Sequence, residues 1–331
     1  MRVRVEERTL GFRRPVATAF GELRSRTILE LTIDGGRGEA APLEEYDGVA
    51  LRSVREALDA YVPVLSRVGE LGGSAVLDAC REIADLPQAL AAVDLALWDR
   101  AGRREGLPVA ALLTDDFAAT VPVNATIVAA DRAGAASAAG EAARAGFGCL
   151  KLKVGIGDDA GRVAAVRAAA GPAVDLRLDA NGAWSIEEAI ATIEALAPAG
   201  LELVEEPVHG IEALRQVRRA IPVRIAMDET AAEPGAMMSA AADAVCLKLS
   251  RCGGISGLLA AAELVRATGA EPYVASTFDG PLGIAAAVHA AAALSPLPAC
   301  GLATLALFDE EPALRVVDGA IAVPAGPGLG V

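Results

Sequence analysis

Five short apolar runs in the middle of the chain each end in an ionisable residue, and they follow one another at nearly even intervals. The steps are about 20 to 28 residues, which is the length of one strand followed by one helix. In a closed ring of parallel strands, the C-terminal strand ends meet at one mouth, where barrel enzymes keep their chemistry. The pattern therefore predicts a barrel whose mouth gathers lysines and carboxylates. The charged ends are Lys151 with Lys153, Asp179, Glu205, Asp228 and Lys248.

Changes of pattern divide the chain into three parts. Residues 1–117 combine strand-like alternation with helical periods, which is typical of an α+β domain. Residues 118–309 alternate strand and helix, and eight strands favour a closed (β/α) TIM-type barrel over an open doubly wound sheet. Residues 310–331 carry the hairpin signal Asp318-Gly319, and we expect this tail to fold back on the first domain.

The spacing also predicts individual elements. In the first domain we expect strands at 1–6 and 27–33, a turn at Asp34-Gly35-Gly36, helices at 51–68 and 89–101, and a lid loop at about 12–26. A later helix should begin after Ser185, because Ser185 and Glu188 have the spacing of a capping box. We expect the barrel strands near 122–127, 149–153, 175–179, 201–205, 223–227, 244–248, 272–276 and 299–303.

Composition narrows the class of protein. Of 331 residues, 53% are hydrophobic and only 3% aromatic, as expected where many helices pack on buried parallel strands. The net charge of −14 argues against a nucleic-acid partner. Five cysteines form no CxxC pair, which indicates a reducing compartment. Without a signal-peptide pattern or a membrane-length apolar run, we expect a cytoplasmic protein with no membrane partner.

Three carboxylates end three successive strands, so a barrel would bring Asp179, Glu205 and Asp228 close together. Unpaired carboxylates at that distance repel one another, and burial would raise their pKa values. A hard divalent cation resolves the conflict, and an all-oxygen site suits Mg²⁺. The alternative is that each carboxylate caps a helix N-terminus.

The lysines suggest acid–base chemistry. Lys151 and Lys153 are two residues apart on one strand, so their side chains point the same way. Lys248 lies four strands further round and would approach a bound molecule from the opposite side. A lysine near other cations has a lowered pKa and can act as a base. Ion pairs with the neighbouring carboxylates are expected as well. A metal flanked by lysines suits removal of a proton next to a carboxylate, because the metal stabilises the dianion that forms.

At these residues the sequence resembles the enolase superfamily, in the subgroup of muconate lactonizing enzymes. The resemblance implies a capping domain, built from the N-terminal region and the C-terminal tail, over the barrel. It also implies Asp179, Glu205 and Asp228 as ligands of Mg²⁺, with Mn²⁺ as the alternative, and Asn181 and Glu229 behind them. It makes Lys153 the acid/base, Lys151 its electrostatic partner and Lys248 the lysine of the opposite face. The matching motifs are Lys151-Leu152-Lys153, Asp179-Ala180-Asn181, Glu205-Glu206-Pro207, Asp228-Glu229-Thr230 and Lys248.

Within the subgroup, several segments look like those of o-succinylbenzoate synthases, which dehydrate a cyclohexadiene carboxylate in menaquinone biosynthesis. They include Gly38 to Leu43 and Ser276-Thr277-Phe278-Asp279, and we expect Ser276, Thr277 and Asp279 to contact the substrate. Dipeptide epimerases carry an Asp-x-Asp pair at the eighth strand, whereas residues 301–305 contain no acid here. The alternatives are a racemase or epimerase of dipeptides or N-acyl amino acids, and a muconate-type cycloisomerase.

Two alternative functions lie outside the family. A Schiff-base aldolase could use Lys153 or Lys248, but it would need no set of three carboxylates. A metal-stabilised barrel could also bind a carboxylate ligand without turning it over. In every reading the partner is a small carboxylate molecule, and assembly into a homo-oligomer is left open.

Overall fold

The computed structural model of the chain describes residues 3–18 and 21–331. The N-terminal domain begins with an antiparallel meander of β1 (Val3–Thr18), β2 (Gly21–Ile33) and β3 (Gly36–Ala40). The meander predicted around Asp34-Gly35-Gly36 is confirmed, while the strand start predicted at residues 1–2 lies outside the described part. The helices that follow are α1 (Glu44–Asp47), α2 (Leu51–Leu65), α3 (Gly73–Ile83), α4 (Pro87–Glu105) and α5 (Val109–Leu113).

The segment predicted as a lid loop at 12–26 is mostly strand, so that prediction was wrong for its described residues. β1 and β2 pair as far as Gly11 with Ser25, slip in register, and pair again from Val16 with Leu23. Packing explains the extension, because the Phe12 ring stacks on Phe308 with 4.7 Å between ring centroids. Residues 19 and 20 lie outside the described part.

Seven parallel strands form the curved sheet of the barrel, and they are paired in chain order. Four of them, β6, β7, β8 and β10, begin and end at the predicted residues. The strands are β5 (Ala125–Ile127), β6 (Cys149–Lys153), β7 (Asp175–Asp179), β8 (Leu201–Glu205), β9 (Arg224–Met227), β10 (Ala244–Lys248) and β11 (Glu271–Ala275).

The ring closes through a very short eighth segment at Cys300 and Gly301. Gly301 donates its backbone N–H to Val274 O of β11 at 2.8 Å, and Cys300 donates to Pro122 O at 2.8 Å. The strand predicted at 299–303 is reduced to these bridges. The strand predicted at 122–127 is divided into β4 (Thr120–Pro122) and β5, because β4 pairs with the C-terminal tail instead.

Helices surround the barrel strands. Between Ser185 and Glu188 the predicted capping box is present, with each side chain accepting from the other residue's backbone N–H. None of the helices in the described ranges is long and apolar enough to cross a membrane. The helices are α6 (Arg132–Arg144), α7 (Asp159–Ala170), α8 (Ile186–Leu196), α9 (Ile211–Ala220), α10 (Leu249–Cys252), α11 (Ile255–Ala267) and α12 (Pro281–Ala293).

The C-terminal tail touches both domains. β12 (Val316–Val317) and β13 (Ala320–Ala322) form the hairpin predicted from Asp318-Gly319, whose φ angles are 48° and 69°. β13 pairs with β4, which directly precedes the first barrel strand β5. Further along, Gly328 O accepts from the N–H of Val109 at 2.9 Å, which ties the chain end to the N-terminal domain.

Candidate active site

The charged residues lie together because the parallel strands are in register. Lys153 pairs with Asp179, and Asp179 in turn pairs with Glu205, so the last residues of β6, β7 and β8 stand at one level. Asp228 follows β9 directly, and Lys248 ends β10. Alternation turns Leu150 and Leu152 the other way, and both are fully buried. The mouth predicted from the sequence is therefore present.

Two lysines crowd one carboxylate. Lys153 Nζ lies 2.6 Å from Asp179 Oδ2, and Lys151 Nζ lies 2.8 Å from the same oxygen. Lys151 Nζ also lies 2.7 Å from Glu205 Oε1, so it joins the first two carboxylates. Lys153 additionally donates to Asn181 Oδ1 at 2.7 Å. The Lys153 side chain is 28% exposed and that of Lys151 only 12%, so Lys153 faces the open mouth.

Lys248 and two tyrosines complete the other side. Lys248 Nζ forms an ion pair with Asp228 Oδ2 at 3.1 Å. The Tyr46 hydroxyl, which comes from α1 of the N-terminal domain, donates to Asp228 Oδ1 at 2.7 Å. The Tyr273 hydroxyl donates to Glu205 Oε2 at 2.9 Å. Each of these two carboxylates is thus held by a lysine and a tyrosine.

Burial and neighbouring charges shift the pKa values at the mouth. Burial, helped by the charges of Asp179 and Asp228, raises the pKa of Glu205 to about 7. For Asp179 burial acts in the same direction, but Lys151 and Lys153 outweigh it and hold the pKa below its usual value. Burial lowers the pKa of Lys151, yet Asp179 and Glu205 outweigh that and hold it above its usual range. At Lys151 the attraction of the predicted ion pairs thus outweighs the effect of burial on the pKa.

A second ring of polar groups holds the carboxylates in place. Asn181 donates its Nδ2–H to Glu229 Oε1 at 2.9 Å, which links the two residues that follow β7 and β9. Glu229 Oε2 is buried and has no hydrogen-bond partner among the described residues. Burial, with the charge of Asp228, raises the pKa of Glu229 to about 7. Glu206 accepts from the Asp228 backbone N–H at 2.7 Å and so fixes that turn.

The residues fit a hard divalent cation. Asp179, Glu205 and Asp228 are at most 3% exposed, and the three lysines do not fully offset the cost of burying them, because burial still raises the pKa of Glu205 to about 7. Candidate ligand atoms of Glu205, Asp228 and Cys246 lie within 4.8 Å of one another. Burial raises the pKa of the Cys246 thiol well above its usual value, which keeps it protonated and leaves oxygen donors. Asp179 lies next to this group, because Lys151 Nζ contacts both Asp179 Oδ2 and Glu205 Oε1.

Lys151, Lys153 and Lys248 are the only lysines in the chain, and every other basic side chain except the two histidines is an arginine. All three lysines lie at this one mouth. An arginine stays protonated in proteins, whereas a lysine can give up its proton. The chain therefore places its lysines where proton transfer would need them.

The predicted substrate contacts lie beside the mouth, after β11. Thr277 Oγ1 donates to Asp279 Oδ1 at 3.3 Å, and Ser276 Oγ lies 2.9 Å from Thr304 Oγ1. Burial raises the pKa of Asp279 to about 6, although Arg26 opposes the shift. Within the described part of the chain, no hydrogen bond joins these three residues to the lysines or carboxylates above. Their contact with substrate stays a prediction.

Three N-terminal residues near the mouth, Tyr46, Arg26 and Glu39, receive no individual role from the sequence, although Glu39 lies in the segment Gly38 to Leu43. Arg26 is 5% exposed and donates to Ala41 O at 2.9 Å. Its spacing of two residues from the buried Ile28 on β2 was the available signal. Glu39 accepts from the N–H of Gly280 at 2.6 Å and of Gly283 at 3.3 Å, at the start of α12. No local pattern pairs it with a helix that distant in sequence.

Comparison with known proteins identifies the family to which this architecture belongs. Residues 134–331 match the family described as enolase C-terminal domain-like, and residues 1–114 match the N-terminal domain of mandelate racemase / muconate lactonizing enzyme. The chain therefore belongs to the enolase superfamily. It is an enzyme of the lyase or isomerase type found there, with a capping domain on a TIM-type barrel.

Individual relatives differ in activity. The chain is 32% identical to L-Ala-D/L-Glu epimerase of Bacillus subtilis, over 92% of this chain and 88% of that enzyme. It is 42% identical to o-succinylbenzoate synthase of Thermobifida fusca, over 58% of this chain and 62% of the synthase. Dipeptide epimerase of Enterococcus faecalis, solved with Mg and the dipeptide L-Leu-L-Tyr, superposes with a TM-score of 0.91 at 27% identity, covering 99% of this chain and 98% of that one.

Proposed function

We propose that this enzyme removes the proton α to the carboxylate of a small substrate, and that its reaction is the syn dehydration carried out by o-succinylbenzoate synthases. One observation carries the first half of the proposal. The only lysines of the chain stand on two sides of a buried cluster of three carboxylates. That arrangement can take a proton on one face and hold negative charge on the other.

Lys153 is the acid/base. It is the most exposed of the three lysines, and it reaches the mouth from β6 while Asp179 and Asn181 hold its amine. It accepts the α-proton and then returns it to the departing hydroxyl group on the same face, which makes the elimination syn. Lys151 stays charged, because its carboxylate partners raise its pKa, and it balances the charge of Asp179 and Glu205. Lys248 faces the substrate from the side of β10.

Asp179, Glu205 and Asp228 would hold Mg²⁺, or Mn²⁺ in its place, with Asn181 and Glu229 fixing the turns behind them. When bound, the cation supplies positive charge that stabilises the enediolate form of the substrate. The protein contributes burial, which strengthens that interaction by excluding water.

The second half of the reaction rests on resemblance to the synthases. Support comes from the 42% identity to the Thermobifida fusca synthase and from the absence of an acidic residue in segment 301–305, where dipeptide epimerases hold an amine. A second candidate is epimerisation of a dipeptide or N-acyl amino acid. It is favoured by the epimerase alignment, which covers 92% of the chain where the synthase alignment covers 58%.

Two parallel measurements distinguish the two candidate reactions. Purified protein with Mg²⁺ and the hydroxycyclohexadiene carboxylate substrate should lose the substrate absorbance as the aromatic product forms. In parallel, dipeptides and N-acyl amino acids are incubated in D₂O and examined by NMR for exchange at the α-carbon. Dehydration without exchange supports the synthase proposal. Exchange and epimerisation without dehydration would replace it by the second candidate.

A further inference from the structure

Tyr46 connects the capping domain with the carboxylate cluster of the barrel. It belongs to α1, which is one turn long, and its hydroxyl donates to Asp228 Oδ1 at 2.7 Å. An ionised carboxylate can only accept a hydrogen bond, so the phenol is the donor in this contact.

Arg251 fixes the position of that phenol. Its guanidinium carbon lies 3.8 Å from the centroid of the Tyr46 ring, which is cation–π distance. Its Nη2 donates to Tyr46 O at 2.9 Å, and its Nε donates to Asp47 Oδ1 at 3.1 Å. Asp47 Oδ2 in turn accepts from the Leu43 backbone N–H at 3.0 Å and closes the turn. The ring, the backbone and the next side chain are thus all held.

The two oxygens of Asp228 are held differently. Oδ1 accepts from the clamped Tyr46 at 2.7 Å, whereas Oδ2 meets Lys248 Nζ at 3.1 Å. Lys248 reaches Oδ2 through a flexible four-carbon chain, whereas Tyr46 cannot move without breaking its contacts to Arg251. A hydrogen bond to one carboxylate oxygen orients the other, and such partners behind a metal ligand set its affinity.

We propose that Tyr46 is a positioning residue for the metal site: it holds Asp228 Oδ1 and so directs Oδ2 toward the divalent cation. This inference rests on the proposed role of Asp228 as a ligand. It makes metal affinity depend on a contact between the two domains, since the donor comes from the capping domain. Lys248 is then released from Asp228 to face the substrate.

Titration of the whole, substrate-free protein with Mn²⁺ by calorimetry tests the inference. Tyr46→Phe keeps the ring on Arg251 and removes only the hydroxyl, and it should raise the Kd for Mn²⁺ about tenfold. Tyr61→Phe is the matched control, because Tyr61 lies in the same domain and donates to Ala84 O at 2.5 Å. Its Kd should stay within about twofold of the parent value, since no ligand lies behind it.

Arg251→Lys provides the second test, because it keeps the charge and loses the paired contacts to Tyr46 and Asp47. It should weaken Mn²⁺ binding in the parent protein and have no further effect when combined with Tyr46→Phe. An unchanged Kd in Tyr46→Phe, or equal weakening by Arg251→Lys in both backgrounds, would overturn the inference. A parent protein that binds no Mn²⁺ would overturn the proposed metal site as well. If only the dehydration assay fails, the Mn²⁺ titration still tests the role of Tyr46, because it uses the substrate-free protein.

Discussion

The C-terminal strand ends that surround the barrel mouth form a rim. This rim and the capping domain contribute to the same site in different ways. At the rim, Lys153, Asp179 and Glu205 are brought together by the strand register of consecutive β–α units. In the capping domain, Tyr46 reaches Asp228 across 182 positions of sequence, and Glu39 reaches Gly280 across 241. The rim is a repeated local arrangement, whereas the cap depends on how two domains meet. Under the proposed function, the rim carries the chemistry and the capping domain adjusts it.

The same contrast explains what the sequence could predict. Four strand ranges and the meeting of Lys151, Asp179 and Glu205 follow from apolar runs with charged ends, because parallel strands share one direction and one edge. Only the segment 12–26 of the β1–β2 hairpin is predicted as a loop from the sequence. Its described part is mostly strand, and the contact of Phe12 with Phe308 that holds it lies too far along the chain for a local pattern to reveal. The split of the first strand depends on pairing with the tail, which no local period reveals.

The largest effect should come from the rim. Lys153→Ala should lower kcat by about 10²- to 10⁴-fold, because the acid/base is lost while the carboxylate cluster is kept. The measurement is turnover of the best substrate together with deuterium incorporation from D₂O. Arg144→Ala is a suitable control on the barrel, since it removes a basic side chain near the end of α6 and should leave kcat unchanged. A Lys153→Ala enzyme of full activity would contradict the assignment of roles at the rim.

Metal binding should stabilise the rim. Mg²⁺ at about one hundred times its Kd should raise the free energy of unfolding by about 2.7 kcal/mol, because only the folded protein assembles the three carboxylates. Urea unfolding with and without Mg²⁺ measures this difference. Asp228→Asn should reduce it strongly. If Mg²⁺ stabilised the variant as well as the parent, the cation would bind elsewhere.

The capping domain should make the stability of the folded chain depend on pH. Burial, with the charge of Asp279, raises the pKa of Glu39 to about 8 from its ordinary 4.5. Between these values the folded chain keeps a proton that the unfolded chain has lost, so stability falls as pH rises, by at most about 1.4 kcal/mol per pH unit from this group.

Glu39→Gln tests that contribution, because the amide cannot ionise. The fall in urea midpoint between pH 5 and pH 8 should be smaller in the variant than in the parent protein. Matching pH profiles in the two proteins would show that Glu39 titrates normally and that the cap is not a source of this dependence.

The smallest effect concerns a helix that supports the rim from outside. Ser185→Ala removes the N-cap of α8 and should cost about 1 kcal/mol of unfolding free energy. Activity per folded molecule should stay unchanged, because α8 only packs behind the strands. Chemical unfolding and a kcat measurement on the same sample check both statements. A loss of kcat without loss of stability would mean that α8 positions the rim.

Three lysines surround one carboxylate cluster, which we propose holds a divalent cation. Because Lys151, Lys153 and Lys248 are the only lysines, a protein labelled with ¹⁵N at lysine Nζ carries its side-chain label at this site alone. Titration with Mg²⁺ followed by ¹⁵N NMR should shift all three Nζ resonances together, with one saturation curve and one Kd. Resonances that stay in place while Mg²⁺ saturates the protein would contradict the account.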